Sequence, residues 1–251
     1  MTEATHISRG EHVAHQFNDA DQQRETATLG MWVFLATEIL FFGAIFVAYG
    51  VYRLRFEEAF RQGSMDLKWY LGGFNTAVLL GSSFFMALAV HASQHGHTNA
   101  LIRNLWITIA LGTLFVGIKG LEYYLEYQEG LLPGPITFHN VKPSEEEENG
   151  FVRGFSHFEE WIAPVAKAEH KSNVRPPEER LFMNFYFIMT GIHATHMLIG
   201  IGVMLTLIYL AKRGTFSAAY HNPVEMAGLY WHFVDTVWVF LFPILYLLRF
   251  R

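Results

Sequence analysis

No cysteine occurs in the 251 residues. That single absence excludes disulfides, thiolate nucleophiles, iron–sulfur clusters and Cys-ligated zinc, while leaving the redox compartment open. Charge is also scarce, at 16% of residues, and the net formal charge is -5 with no basic cluster. Nucleic-acid binding is therefore set aside, because phosphates need a face of Lys and Arg. No Gly-rich phosphate loop follows a strand pattern, and neither a nucleophile elbow nor an HExxH zinc motif appears. The first thirty residues lack the basic start, short apolar core and small-residue cleavage site of a secretory signal. The first apolar run is therefore expected to direct insertion.

Apolar residues, in contrast, are abundant: 51% are hydrophobic and 16% aromatic. The mean hydropathy is +0.19 despite long polar segments. Apolar residues must therefore be gathered in blocks. A bilayer core of about 30 Å requires roughly 20 mostly apolar residues in a helix that satisfies its own backbone. Five stretches meet that length: Leu29–Val51, Tyr70–Val90, Leu105–Tyr124, Leu181–Leu210 and Ala227–Leu248. The predicted fold is an all-α integral membrane protein, a bundle of five transmembrane helices. It divides into a polar N-terminal tail, 1–28, and a membrane bundle, 29–251, with a large extramembrane insert at 126–180. Within the insert, "LLPGP" and "PSEEEENG" oppose a long helix, whereas "FSHFEEWIAPVAKAEH" has the pattern of a short surface helix. Trp69, Tyr70, Trp106, Tyr123, Tyr124, Tyr230 and Trp231 fall near the ends of the runs and read as interface anchors. Recurrent small residues, including Gly72, Gly81, Ser82, Ser83, Gly112, Gly117, Gly200 and Gly202, predict close helix approach.

An ionisable group in hydrocarbon costs about 2.5–3.5 kcal/mol on insertion scales, so each one needs a polar partner and is a candidate functional residue. Glu38 lies about 13 Å into the first run at 1.5 Å per residue. It reads either as a neutral hydrogen-bonder between helices or as a proton- or lipid-linked group. His193 and His196, three apart in the fourth run, are read as core hydrogen-bonders, as part of a metal site, or as a pair of which one member meets Glu38. His232 and Asp235 repeat the spacing in the fifth run and can bond each other or a neighbouring helix. Lys119 and Glu122 form an i, i+3 pair of opposite charge, with the lysine long enough to snorkel to the interface. Asn75 and Thr76 are expected to hydrogen-bond between helices. His91, His95 and His97 in "HASQHGH", with the tail residues His6, His12 and His15, remain unassigned.

Five segments occur together in a recognisable order. "YWHFVDTVWVFLFPILYL" resembles the closing helix of subunit III of the haem–copper respiratory oxidases, in particular cytochrome c oxidase. "MWVFLATEILFFG", "GGFNTAVLLGSS", "ITIALGTLFVGIKGLEYY" and "TGIHATHMLIG" are similar to four further helices of that family. The resemblance implies the five-span form of the subunit, with no catalytic residue, no metal, and no haem or copper of its own. Those cofactors would lie in partner subunits. It implies packing against catalytic subunit I, and against subunit II, with bound phospholipids in a cleft between the first two spans and the rest. It further implies support of proton uptake. Glu38, His193, His196, His232, Asp235 and Glu122 match the family's polar core, and Arg213, His221 and Trp231 fall near its lipid contacts. Lys119 stands where a neutral glutamine is common, and the long insert suggests docking of a further respiratory complex or accessory subunit. An inner bacterial membrane with a cytoplasmic N-terminus and periplasmic C-terminus is implied as well. Charge alone nearly ties: Arg9, Arg24, Arg103, Lys212 and Arg213 on one side oppose Arg53, Arg55, Arg61, Lys68, Arg249 and Arg251 on the other. Within the same family, subunit III of a quinol oxidase and a nitric oxide reductase accessory subunit remain open. Outside it stand a small proton-linked transporter using Glu38 and Asp235, and a membrane metalloenzyme built on His193 and His196.

Overall fold

A computed structural model describes residues 16–128, 177–218 and 220–247. The first helix, α1 (Ala20–Arg55), starts well before its apolar run because its N-terminus is capped. The Asp19 side chain accepts from the Gln22 amide at 2.7 Å, and the Gln22 side chain reaches back to accept from the Asn18 amide at 2.8 Å. At 36 residues the helix is about 54 Å long, well beyond a bilayer core, so its first turns stand outside the hydrocarbon. A short amphipathic helix, α2 (Glu57–Asp66), follows, in a polar stretch where the apolar pattern predicts no element. It is held by burial of Phe60, Gly63 and Ser64, with the Phe60 ring 5.5 Å from that of Phe182.

Four long helices complete the described chain: α3 (Trp69–Gln94), α4 (Thr98–Gln128), α5 (Pro177–Lys212) and α6 (Asn222–Tyr246). Gly96, at φ 70°, makes the left-handed turn between α3 and α4, and Gly214, at φ 74°, does the same after α5. Among the described residues five helices, α1, α3, α4, α5 and α6, are long and apolar enough to cross a membrane, one in each predicted span. The extramembrane insert and its expected surface helix fall outside the described residues.

The four helices α3, α4, α5 and α6 pack as a closed ring, each against two neighbours, while α1 leans on α6 and α2 covers one end of α5. Trp231 of α6 occupies the middle of this ring. A Cβ on Gly112 of α4 or on Gly200 of α5 would come within 2.8 Å of its indole, and its N–H donates to Ser82 of α3 at 3.0 Å. Small residues thus make room for one large ring, supplying the van der Waals contact that drives association in lipid, where apolar burial contributes little. Gly72 against Phe242 and Gly228 against Val90 repeat the arrangement; Gly117 and Gly202 face open space instead.

Two expectations change here. Trp231 is 1% exposed and Tyr230 8%, so both rings are enclosed by protein and neither stands out at a helix end as an interface anchor. The first two spans also do not stand apart as a pair, because α3 is an integral member of the ring. Of the membrane-length helices among the described residues, α1 is the peripheral one: 11% of its apolar stretch is buried, against 50% for α6. Its buried residues, Leu35, Phe42 and Tyr49, recur every seven positions and form one narrow stripe.

Candidate functional site: a polar core between the helices

Glu38 projects from α1 toward α5, where its Oε2 lies 3.1 Å from His196 Nε2. The other ring nitrogen, Nδ1, is 2.9 Å from the Ile192 carbonyl, which fixes the orientation of the imidazole. Tyr230 donates to the His196 carbonyl at 2.9 Å, and the Phe42 ring packs against the imidazole. The Glu38 and His196 side chains are 18% and 16% exposed, so the pair sits at the seam between α1 and the ring.

His193 does not join it. It is 1% exposed, with its imidazole between Phe115 and Trp238, and neither ring nitrogen has a hydrogen-bond partner. Three residues on a helix leave an angular offset of about 60°, so the two histidines lie on adjoining faces and meet different neighbours. Among the described residues, no three His, Cys, Asp or Glu side chains gather to hold a metal ion.

His232 and Asp235 do not bond each other, but both face Ser83 of the neighbouring helix α3. His232 Nδ1 is 2.7 Å from the Ser83 hydroxyl of α3. Asp235 is 4% exposed and neither carboxyl oxygen makes a hydrogen bond, although Ser83 lies beside it. Of the two interhelical hydrogen-bonders expected on α3, Thr76 accepts from Trp238 Nε1 at 3.1 Å, whereas buried Asn75 has no partner for its amide.

The most completely satisfied polar group is Lys119. It is 3% exposed, so it does not snorkel. Its ammonium donates to Glu122 Oε2 at 2.8 Å, to the Tyr186 hydroxyl at 3.0 Å and to the Tyr246 hydroxyl at 2.7 Å. Tyr246 in turn donates to Glu122 Oε1 at 2.8 Å. The rings of Tyr123, Tyr186, Trp238 and Tyr246 all lie within 5.5 Å of the nitrogen. This arrangement ties α4, α5 and α6 together at one end. The i, i+3 spacing points to the ion pair but not to the tyrosines, which look like ordinary apolar residues in their runs. Nor does the sequence single out Glu126, one turn beyond Glu122, which is buried with neither oxygen hydrogen-bonded.

At the opposite end, Glu225 of α6 accepts from Gln94 of α3 at 2.7 Å and lies 3.2 Å from His221 and 3.7 Å from Arg24 of α1. His221 Nδ1 is also 2.9 Å from the Ala218 carbonyl. His221 is therefore engaged within the protein. Arg213, exposed just beyond α5, lies over the Tyr209 ring at 4.3 Å.

Comparison with known proteins agrees with this architecture. The family model described as cytochrome c oxidase subunit III matches residues 177–249, which include α5 and α6. Cytochrome c oxidase subunit 3 of Thermostichus vulcanus is 30% identical over 230 residues, covering 91% of this chain and 90% of the relative. Cytochrome c oxidase subunit 3 of Synechocystis sp. is 27% identical over 220 residues, 87% of this chain and 74% of its own. Quinol oxidase subunit 3 of Bacillus spizizenii is 27% identical over 250 residues, 95% of this chain and 97% of its own. With five membrane-length helices among the described residues and relatives that align along nearly the whole chain, this protein belongs to the cytochrome c oxidase subunit III family.

Proposed function

We propose that this chain is the non-redox third subunit of a proton-pumping haem–copper terminal oxidase that takes electrons from cytochrome c. The observation that carries the reading is Glu38–His196, a carboxyl–imidazole pair at membrane depth joining the peripheral α1 to the ring. Such a pair can exchange a proton without leaving an isolated charge in hydrocarbon. In this reading the chain stabilises catalytic subunit I, contacts subunit II, and supports proton uptake. Phospholipid binds along the open flank of α1, with Arg213 and His221 near the headgroups. Residues 1–28 act as a tail, residues 29–251 as the membrane unit, and the insert 126–180 as a docking surface for a further complex or accessory subunit. The N-terminus is cytoplasmic and the C-terminus periplasmic, in a bacterial inner membrane.

The relative from Bacillus spizizenii favours a second reading, in which the donor is a quinol. Purifying the native complex through a tag on this chain separates them. The expected result is co-purification of haem- and copper-bearing subunits with oxygen uptake driven by reduced cytochrome c. Uptake driven by quinol alone would select the second reading, and recovery of the chain without any haem protein would overturn both.

A further inference from the structure

The end of α3 carries two histidines at i, i+4, His91 in its last turn and His95 at its C-cap, both exposed. Their ring centroids are 4.3 Å apart with 32° between the ring planes, so the two imidazoles lie side by side, and a rotation about their side-chain bonds is what aims both Nε2 atoms at one ion. His95 Nδ1 lies 2.9 Å from the His91 carbonyl. Donating that proton to the carbonyl leaves Nε2 with its lone pair available, the tautomer a metal requires, and the carbonyl supplies the outer contact that orients a metal-bound imidazole. The intervening Gln94 turns away to Glu225 and does not compete. Gly96 then reverses the chain, bringing the His97 ring to 6.2 Å from that of His95. A cation here also faces the negative end of the α3 dipole.

We propose that His91 and His95 form a two-imidazole binding site for a divalent transition-metal ion, of the zinc or nickel class. Nitrogen ligands select this class over magnesium and calcium, which prefer oxygen. Among the described residues no third ligand completes the set, so water fills the remaining positions. A bound ion bridges consecutive turns and clamps the end of α3 at its junction with α4. The site does not depend on the oxidase reading.

The test is calorimetric titration of nickel into the intact native complex, purified through a histidine-free tag. Five forms are compared: the parent, His91→Gln, His95→Gln, His91→Gln/His95→Gln, and His6→Gln/His12→Gln/His15→Gln. The parent and the tail variant are expected to share one bound equivalent that the double variant lacks. Each single replacement, His91→Gln or His95→Gln, weakens it about tenfold or more, because one imidazole then holds what two held. Because both side chains are exposed, the variant complexes should be recovered in normal yield with unchanged oxygen uptake. A double variant that is folded and binds nickel with the same stoichiometry and affinity as the parent overturns the proposal.

Discussion

Lys119 shows how one residue can be both costly and necessary. Its charge is tolerated because every donor is used, by Glu122, Tyr186 and Tyr246. Lys119→Met leaves Glu122 buried with its counter-charge gone and is expected to destabilise the protein by about 3–5 kcal/mol. The double replacement Lys119→Met/Glu122→Gln should recover a substantial part, since no uncompensated charge remains. Detergent-denaturation curves of the complex check both values; a single variant as stable as the parent would contradict the assigned network. A second residue-scale prediction concerns Glu38 and His196. Their single and double replacement by Gln should show a coupling of about 0.5–3 kcal/mol, whereas Glu38 with His193 should be additive. The presence of a partner for Glu38 is legible from the sequence, because hydrocarbon demands one. Its identity is not: His193 and His196 lie at similar depth, and the choice depends on which helix each faces.

At the scale of elements, the spans are legible because a bilayer imposes both length and hydrophobicity. Their extensions are less so. The first turns of α1 are polar and depend on the Asp19 cap, and α2 is a short polar segment whose only strong signal is Phe60. Small residues are recognisable as a packing device, but sequence does not distinguish those under a ring from those facing outward. Gly200 and Gly202 make the distinction testable. Gly200→Ala places a Cβ 2.8 Å from Trp231 and should cost about 1–3 kcal/mol by overpacking. Gly202→Ala meets nothing within 4 Å and should be neutral or slightly stabilising, given the better helix propensity of alanine. Thermal unfolding of the two variants in the same detergent decides it; equal losses would contradict the placement of Trp231.

At the scale of the molecule, the described residues form a closed ring of four helices with a fifth held to it by a narrow stripe and a few polar contacts. Tyr49 is one of these, donating to the Ile244 carbonyl at 2.8 Å, and Glu38 is another. The number of membrane-length helices follows from the sequence, but their neighbours do not. Nothing in the apolar pattern tells that α3 completes the ring while α1 remains outside. Functionally, this architecture suits a supporting subunit: a firm ring to hold shape and an outer helix with apolar surface left for lipid or protein. The most direct measurement is to strip this chain from the purified oxidase and follow haem content and oxygen uptake. The expected result is a remaining complex that keeps its haems and its initial rate but loses activity progressively during turnover. Haem or oxygen reduction travelling with the removed chain would contradict the account.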